Sequence, residues 1–306
     1  MKRPPCLSCG SSDTSEWACA RDVEYRTSDE LFHYHRCASC QVLFIDPVPL
    51  DRLGVIYPRN YYSFQPEVRS FAFALKERLD RALFRSILAA IPGDALRVLD
   101  VGGGSGAQLD SVRESDARVR RTLVVDLDRD AAAQARARGH EYFCGRIEDF
   151  ASDERFDFVL LLNLIEHVES PGRVLRKLRG MLAPGGALLV KTPNTDALDA
   201  RLFRHTSWAG YHCPRHWVLF TRESFGALAQ ASGFTVRSFA YTQGAPFWAA
   251  SLICWLERRG LASVTRERPA IYHPLFGPLS LLFAAFDFLR RPFAKTSQMF
   301  FVLGPA

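Results

Sequence analysis

Residues 98–106 read Val-Leu-Asp-Val-Gly-Gly-Gly-Ser-Gly, and this stretch decides the fold. Its first half is the apolar, β-branched run that is typical of a buried parallel strand. Gly102, Gly104 and Gly106 then supply backbone without a Cβ atom, which lets a ligand approach closely. Residues 107–115 can form a helix, so the turn would lie at a helix N-terminus, where free N–H groups and the helix dipole collect. The stretch therefore predicts a turn that binds a nucleotide-like cofactor.

Two carboxylates accompany the glycine turn. Asp100 lies inside the strand, where a buried carboxylate is costly unless it meets a cation or several donors. Asp126 ends a second apolar strand about twenty residues further on, a spacing at which a carboxylate can accept both hydroxyls of a ribose. The glycines alone also fit a dinucleotide-binding turn or a plain tight loop. The two acids favour a cofactor site over the plain loop, and the sequence lacks the second nucleotide half that NAD binding would need.

At this point the sequence resembles the class I S-adenosylmethionine-dependent methyltransferases, over roughly residues 96–241. Besides the glycine turn, the resemblance includes an apolar strand at 156–161, the Asn-Leu-Ile-Glu-His-Val run at 163–168 and the Leu-Ala-Pro-Gly-Gly turn at 182–186. It implies an α/β fold: a Rossmann-like seven-stranded sheet with helices on both faces, the last strand antiparallel between its neighbours. It also implies S-adenosylmethionine as the methyl donor.

The resemblance assigns a set of residues to the cofactor. These residues are Asp100, Gly102, Gly104, Gly106, Asp126, Glu148, Asp149 and Asn163. Asp100 would hold the methionyl ammonium group, and Asp126 would accept hydrogen bonds from the ribose. The family often contacts adenine with an Asp directly after a glycine, but Arg146 stands at that place. Whether Glu148, Asp149 or only backbone contacts the adenine stays open.

Two C-x-x-C pairs mark the N-terminal segment, residues 1–48. Cys6 and Cys9 form the first pair, and Cys37 and Cys40 form the second. Together they predict a structural zinc site of four thiolates, which leaves no coordination position open for catalysis. A metal suits a segment that is too short to hold itself together by apolar burial. The alternative ligands in this segment are Cys19, His33 and His35.

Composition sets broad limits. A chain of 306 residues, 48% hydrophobic and 24% charged, predicts one large globular domain with an appendage or two domains. The net charge of +6 suits a phosphate-bearing substrate, nucleic acid or an anionic membrane, although an arginine-rich solvated surface also explains it. The N-terminus lacks the apolar core of a secretory signal, which predicts a reducing, cytoplasmic location without disulfides.

Residues 49–92 are predicted to form a linker and a helix that covers the cofactor site. A zinc knuckle followed by an Asp-Pro-Val-Pro linker and a Tyr-Tyr pair resembles a methyltransferase branch that includes sugar C-methyltransferases and polysaccharide-cluster enzymes. In that branch the linker tyrosines lie near the active-site mouth, which makes Tyr57, Tyr61 and Tyr62 candidates for substrate contact. Aromatic packing of the linker onto the core is the alternative.

The predicted catalytic groups are His216, Tyr211 and His167. In the resembling sugar C-methyltransferases, a Tyr and a His before the equivalent helix handle the substrate proton. His216 matches that His as general base, and Tyr211 is a looser match that would orient the acceptor. Because Pro214-Arg215 stands where those enzymes carry an acid, C-, O- and N-methylation all stay open. His167 could act directly or shape the cofactor pocket, and packing of a lid is the alternative for His216.

An apolar insert, residues 243–296, interrupts the methyltransferase domain predicted for residues 93–306. Its apolar runs are shorter than the ~20 residues that a membrane-spanning helix needs, and tryptophans and arginines stand at their margins. Residues 246–291 therefore suit helices lying in a bilayer interface. The alternative is a helical hairpin packed on the core or on a second subunit, which would make a homodimer.

Three functions remain in view. The leading hypothesis is methyl transfer to a small-molecule, sugar, glycan or lipid-linked acceptor. RNA methylation is the second, but the metal segment is rich in acidic residues and has no basic run with interleaved aromatics, so nucleic acid is not expected as a partner. The third is a non-catalytic protein that keeps the fold for assembly at a membrane.

Overall fold

A computed structural model gives the structure of residues 3–61 and 71–306, with residues 71–75 as backbone only. Tyr62, one of the predicted substrate contacts, lies outside the described residues. The strands are β1 (Thr14–Ala20), β2 (Phe32–Cys37), β3 (Leu43–Asp46), β4 (Leu96–Val101), β5 (Val119–Asp126), β6 (Glu141–Cys144), β7 (Phe156–Leu162), β8 (Leu182–Pro193), β9 (Val218–Leu219), β10 (Phe234–Thr242) and β11 (Gln298–Pro305). The helices are α1 (Leu53–Ile56), α2 (Phe71–Leu88), α3 (Ala107–Ser115), α4 (Arg129–Ala137), α5 (Pro171–Met181), α6 (Leu198–Phe203), α7 (Arg222–Ala231), α8 (Ala245–Glu257) and α9 (Phe276–Arg290).

Seven strands form the central sheet, in the order β10-β11-β8-β7-β4-β5-β6. β11 runs antiparallel to both of its neighbours, and the pairs between β8 and β6 are parallel. The central strands are continuous apolar runs because both faces of a parallel sheet are covered by helices. Phe84 of α2 and Leu109 of α3 pack on one face, and Val174 of α5 and Phe225 of α7 pack on the other. The predicted Rossmann-like α/β fold is confirmed.

The N-terminal segment shares its sheet and its core with the rest of the chain. β1, β2, β3 and β9 form a second, four-stranded sheet in which Leu43 of β3 pairs with Leu219 of β9. Arg215 lies just before β9 and forms an ion pair with Asp22 at 2.8 Å, and both side chains are fully buried. The domain boundary at residue 48 stays a prediction, but the segment before it is joined to the methyltransferase fold by strand pairing and by a buried ion pair.

The insert before β11 is helical, as predicted. α8 and α9 pack on each other, and the ring of Trp248 stacks on Phe283 with centroids 4.9 Å apart. α8 is also fixed to the core, because Ser251 accepts a hydrogen bond from Ser207 through its carbonyl oxygen. Within residues 3–61 and 71–306, no helix combines the length and the apolar character needed to cross a membrane.

Candidate active site

A cavity of about 600 Å³ lies at the carboxyl ends of β4, β5, β7 and β8. Ligands of open α/β sheets bind at this edge, and the volume suits a cofactor together with a small substrate. One half of the cavity is lined by residues that follow β4, β5 and β6, including Asp100 and Asp126. The other half is lined by α1, α2 and the end of β8, including Tyr57 and Lys191.

Asp100 is a buried carboxylate that lines the cavity and forms no ion pair with any residue that the structure describes. Its Oδ2 atom has no hydrogen-bond partner among the described residues. Burial, and then the charge of Asp126, raise the pKa of Asp100 to about 7. A Cβ atom at Gly103 would lie 2.6 Å from the Asp100 carboxyl group, so only glycine leaves that group room. An unpaired buried carboxylate of this kind fits a ligand ammonium group, such as the one on the methionyl part of S-adenosylmethionine.

Asp126 is held in place by backbone donors. Its Oδ2 accepts the N–H of Gly104 and its Oδ1 accepts the N–H of Asp128, both at 2.9 Å. The carboxylate lines the cavity, and each oxygen keeps a lone pair for a further donor. Burial raises the pKa of Asp126 above its usual value. The fixed carboxylate is suited to accept ribose hydroxyls, which is the role predicted for it.

The three predicted cofactor glycines have three different roles in the structure. Gly102 lines the cavity with φ +78°, a left-handed conformation that favours glycine. Gly104 acts through its N–H on Asp126. Gly106 lies at the start of α3 against His140, whose ring a Cβ atom would approach to 2.4 Å. Gly106 is therefore required by packing against His140, and the cavity wall formed by the described residues does not include it.

On the adenine side the structure separates the two acids that sequence left open. Glu148 lines the cavity and binds Arg146 at 2.8 Å. Asp149 follows in a turn in which its N–H donates to the carbonyl of Arg146, and it is not part of the described cavity wall. Asn163 lines the cavity in a left-handed conformation, φ +52°, and its Oδ1 accepts a hydrogen bond from Gln298 at 3.2 Å.

His167 lines the half of the cavity that also contains Tyr57 and Lys191. We call this half the acceptor half, and the half that contains Asp100 and Asp126 the donor half. Its Nδ1 lies 3.0 Å from the carbonyl oxygen of Arg215 and 3.0 Å from the hydroxyl oxygen of Tyr57. Because a carbonyl oxygen only accepts, these partners assign the hydrogen to Nδ1 and leave the lone pair on Nε2. Burial, and then the neighbouring His212, lower the pKa of His167 to about 3. The ring is therefore neutral at physiological pH.

The other two predicted catalytic residues lie behind the cavity wall. His216 is 4% exposed, its Nδ1 donates to the carbonyl of Gly210 at 2.8 Å, and its ring packs edge-on against His167. Tyr211 is 3% exposed and its hydroxyl donates to the carbonyl of Arg204. Neither belongs to the cavity wall that the described residues form. Pairing of β9 with β3 draws this run beneath the second sheet, where both side chains are buried. Their catalytic role stays a prediction.

His216 instead stands between His167 and a buried acid. The Nε2 atom of His216 lies 4.0 Å from Oε1 of Glu166, and Oε2 of Glu166 accepts from Thr192 at 3.0 Å. Burial raises the pKa of Glu166 to about 8 and lowers the pKa of His216 well below its usual range. Both groups are thus held neutral, and they support the ring of His167 from behind.

Lys191, which sequence reasoning missed, enters the cavity at the end of β8. Its Nζ lies 5.5 Å from the ring centroid of Phe300, and burial followed by the charge of Lys76 lowers its pKa to about 8. Lys76 also lines the cavity but is paired with Asp80 at 2.7 Å. The signal was present in the sequence, since a lysine ends the apolar run of β8 at the edge where ligands collect.

The four predicted zinc ligands come together. The sulfur atoms of Cys6 and Cys40 lie 3.6 Å apart, as do those of Cys9 and Cys37, and all four lie within 4.8 Å of one another. Zn–S bonds of ~2.3 Å in a tetrahedron place the sulfurs ~3.8 Å apart, so the group fits this ion. The predicted alternatives lie elsewhere: Cys19 and His33 contact Glu16, and His35 stacks on Phe44.

The sequence profile of a family described as "Methyltransferase domain" matches residues 73–238, more than half of the chain. The chain belongs to this methyltransferase family. The carboxylates of Asp100 and Asp126 fit the ammonium and ribose groups of S-adenosylmethionine, the donor that the sequence resemblance implies. The predicted methyltransferase family is confirmed.

Curated relatives match the methyltransferase over part of their length. It is 35% identical over 107 residues to a ubiquinone biosynthesis O-methyltransferase of Bradyrhizobium sp. (strain ORS 278), covering 32% of this chain and 40% of the relative. It is 34% identical over 106 residues to the enzyme of the same name from Xanthomonas oryzae pv. oryzae (strain PXO99A), covering 32% of this chain and 43% of the relative. The chain therefore spans less than half of these relatives.

Two solved structures share the fold of the methyltransferase. Coclaurine N-methyltransferase bound to N-methylheliamine and SAH aligns with a TM-score of 0.52 and 16% identity, covering 84% of this chain and 82% of that one. The [4+2]-cyclase SpnF aligns with a TM-score of 0.51 and 18% identity, covering 79% and 85%. At such identities the likeness concerns the fold alone.

Proposed function

We propose that this methyltransferase methylates a hydroxyl group of a small-molecule, sugar, glycan or lipid-linked acceptor that also carries an anionic group. The observation that carries the proposal is the hydrogen-bonded state of His167. Its Nδ1–H is fixed by a carbonyl oxygen, its Nε2 lone pair is left for a ligand, and the ring borders the acceptor half of the cavity. A neutral base in this position suits an acceptor whose reacting atom starts protonated.

The donor half would hold S-adenosylmethionine through three kinds of contact. Asp100 would bind the ammonium group, Asp126 would accept hydrogen bonds from the ribose hydroxyls, and Glu148 would lie beside the adenine. Gly102 and Gly103 leave space for the close approach of the ligand. When bound, S-adenosylmethionine supplies a methyl group on a sulfonium, which is electrophilic without further activation. The protein's own task is to orient the acceptor, exclude water and take up a proton.

His167 would take that proton on Nε2. Its low pKa does not prevent this, because the proton on an oxygen becomes strongly acidic as the oxygen gains an alkyl group. A weak base that stays neutral over the physiological range is sufficient for such a transfer. Tyr57 and the carbonyl of Arg215 would keep the ring orientation fixed throughout. His216 and Glu166 are positioning residues in this scheme.

Lys191 would select acceptors with an anionic group. Its ammonium has no carboxylate partner within the part of the chain that the structure describes, and Phe300 and Trp217 supply apolar surface in the same cavity. A phosphate or carboxylate on the acceptor would supply the missing counter-charge. The names of the curated relatives support oxygen as the methylated atom, whereas the sugar branch rests on the sequence resemblance.

The four N-terminal cysteines are proposed to hold a structural zinc ion. Four protein thiolates fill a tetrahedral site, so the ion would take no part in the reaction. Its role would be to stabilise the second sheet, which carries β9 and therefore the run that ends at His216 and Trp217.

The test of the proposed base uses His167→Asn, with the exposed His205→Asn as its matched control. Transfer of labelled methyl would be measured on 3,4-dihydroxybenzoate, on a uridine-diphosphate sugar and on transfer RNA. We expect His167→Asn to lower the rate by about 10²–10⁴-fold without changing affinity for S-adenosylhomocysteine, and His205→Asn to be unaffected. Full activity of His167→Asn, or transfer to the RNA alone, would contradict the proposal.

A further inference from the structure

The outer face of α9 is apolar along its whole length. The exposed residues of this fully described helix before its final arginine are Gly277, Pro278, Leu281, Leu282, Ala285, Phe286, Phe288 and Leu289. Leu289 is 71% exposed, and Phe293, just beyond the helix, is 81% exposed. Single exposed apolar residues are common on proteins, but a continuous apolar helix face marks an interaction surface. We call this set, from Gly277 to Phe293, the α9 face.

The charges of α9 point inward. Asp287 is completely buried and accepts the N–H of Gly244 at 3.0 Å. Arg290 is 9% exposed and donates to the carbonyl of Lys295 at 3.0 Å. A helix that faces water presents its polar side outward, so this helix has the opposite arrangement. The hydrogen bonds of Asp287 and Arg290 hold α9 against the rest of the protein, and its apolar side chains face outward.

The charges around the α9 face are mostly positive. Residues 243–296 contain seven Lys and Arg against three Asp and Glu, which is +4 of the chain's net charge of +6. The exposed basic residues of the insert are Arg258, Arg259, Arg266 and Arg268 between α8 and α9, and Arg291 and Lys295 after α9. Lys295 is also paired with Asp196. Lys and Arg side chains near an anionic bilayer are attracted to its negative surface charge. A second copy of the chain would instead bring two surfaces of +4 together.

We propose that the α9 face binds an anionic lipid bilayer, with α9 lying in the interface and the basic residues at the level of the lipid headgroups. An apolar helix face with Lys, Arg, Tyr272 and Trp255 in the flanking segments is the pattern of an interfacial helix. The proposal concerns where the enzyme is held, and it does not depend on the acceptor or on the role of His167.

The segment that leads into α9 is hydrogen-bonded to the chain next to the wall of the active-site cavity. The hydroxyl of Tyr272 donates to the carbonyl of Asn60 at 3.0 Å, and the side chain of Asn60 donates to the carbonyl of Arg266 at 2.9 Å. The neighbouring Tyr57 and Tyr61 line the cavity. A bilayer at α9 would therefore lie beside the acceptor half, which suits a lipid-linked acceptor. That last step, unlike bilayer binding itself, rests on the proposed function.

The experiment is flotation of the full chain with vesicles of phosphatidylcholine, with and without phosphatidylglycerol. We expect binding to the anionic vesicles that weakens as salt is added. Leu282→Glu combined with Leu289→Glu should lower the bound fraction about tenfold or more, with affinity for S-adenosylhomocysteine unchanged. The matched control is Val236→Glu, because Val236 is exposed near the other end of β10 from the insert.

Sedimentation velocity on the same proteins separates the possible occupants. Failure of the unmodified chain to float with anionic vesicles, together with a dimer that the double variant dissociates, would overturn the proposal in favour of a second copy. Equal binding of the double variant and the unmodified chain would also overturn it. If the glutamates impair folding, the variant with Leu282→Ala and Leu289→Ala replaces it, and it should lower the fraction bound to anionic vesicles by a smaller amount. Methyl transfer to a water-soluble acceptor should be unchanged in all of these variants, which separates this test from that of His167.

Discussion

Replacing Asp100 with asparagine tests whether this carboxylate is retained for the cofactor at a cost to the fold. Burial, and then Asp126, raise its pKa from 3.8 to about 7 when no ligand cation is present. A carboxyl group whose folded pKa lies above its unfolded pKa destabilises the folded protein progressively as pH rises between the two values. Each pKa unit corresponds to 1.36 kcal/mol, so the cost approaches ~4 kcal/mol above pH 7.

We expect Asp100→Asn to raise the free energy of unfolding of the ligand-free protein at pH 8 by ~1–3 kcal/mol. The gain is smaller than the full cost because the buried amide still lacks hydrogen-bond partners. The gain should fall by more than half at pH 5, because Asp100 of the unmodified protein is then mostly protonated. Urea unfolding at both pH values measures this difference, and the exposed Asp153→Asn is the matched control.

The same variant should lose the pH dependence of cofactor binding. In the unmodified protein, lowering the pH from 8 to 6 protonates Asp100, and affinity for S-adenosylhomocysteine should fall about tenfold. Asp100→Asn should bind about tenfold or more weakly at pH 8 and show a flat profile in calorimetric titration. A variant that is destabilised equally at both pH values, or that binds as tightly as the unmodified protein, would refute the reasoning.

Further predictions concern the ribose site, the metal and the buried ion pair. Asp126→Ala should weaken the binding of S-adenosylhomocysteine by about tenfold or more in calorimetric titration, since it removes charge-assisted hydrogen bonds to hydroxyl groups. Cys37→Ser should lose the zinc measured by elemental analysis and lower the melting temperature, as a chelator should, because metal binding is coupled to folding. Asp22→Asn should lower the free energy of unfolding in urea by ~3–5 kcal/mol, because it leaves Arg215 buried without a counter-charge. The control is Glu141→Gln, which breaks the exposed ion pair with Arg121 and should lower it by less than ~1 kcal/mol.

The central sheet and the donor half of the site could be predicted because their signals are local. A buried strand, a glycine turn and an acid at the end of the next strand lie within thirty residues, from Val98 to Asp126. The position of the antiparallel last strand followed from the family resemblance, and Gln298–Pro305 occupies it. The four cysteines were predicted together because the spacing within each pair is itself a metal-binding pattern.

The burial of His216 and Tyr211 could not be predicted because it depends on contacts between distant segments. Nothing near His216 in sequence indicates that β9 pairs with β3, and this pairing turns His216 and Tyr211 into the interior. The carbonyl of Arg215, which lies just before β9, also accepts a hydrogen bond from Nδ1 of His167. Lys191 was missed for a simpler reason: one lysine at the end of an apolar strand is equally typical of a solvated strand end.

The pairing of β3 with β9 also has a consequence for synthesis of the chain. Leu43 and Leu219 are partners in this sheet, 176 positions apart. At translation rates of ~5–20 residues per second, the apolar edge of β3 waits roughly 9–35 s for its partner strand. All four cysteines emerge before that wait begins, so zinc can close the knuckle early while one sheet edge stays open. Unpaired apolar strand edges of this kind are sites at which chains aggregate. The nascent chain is therefore most prone to aggregation between the synthesis of β3 and the synthesis of β9.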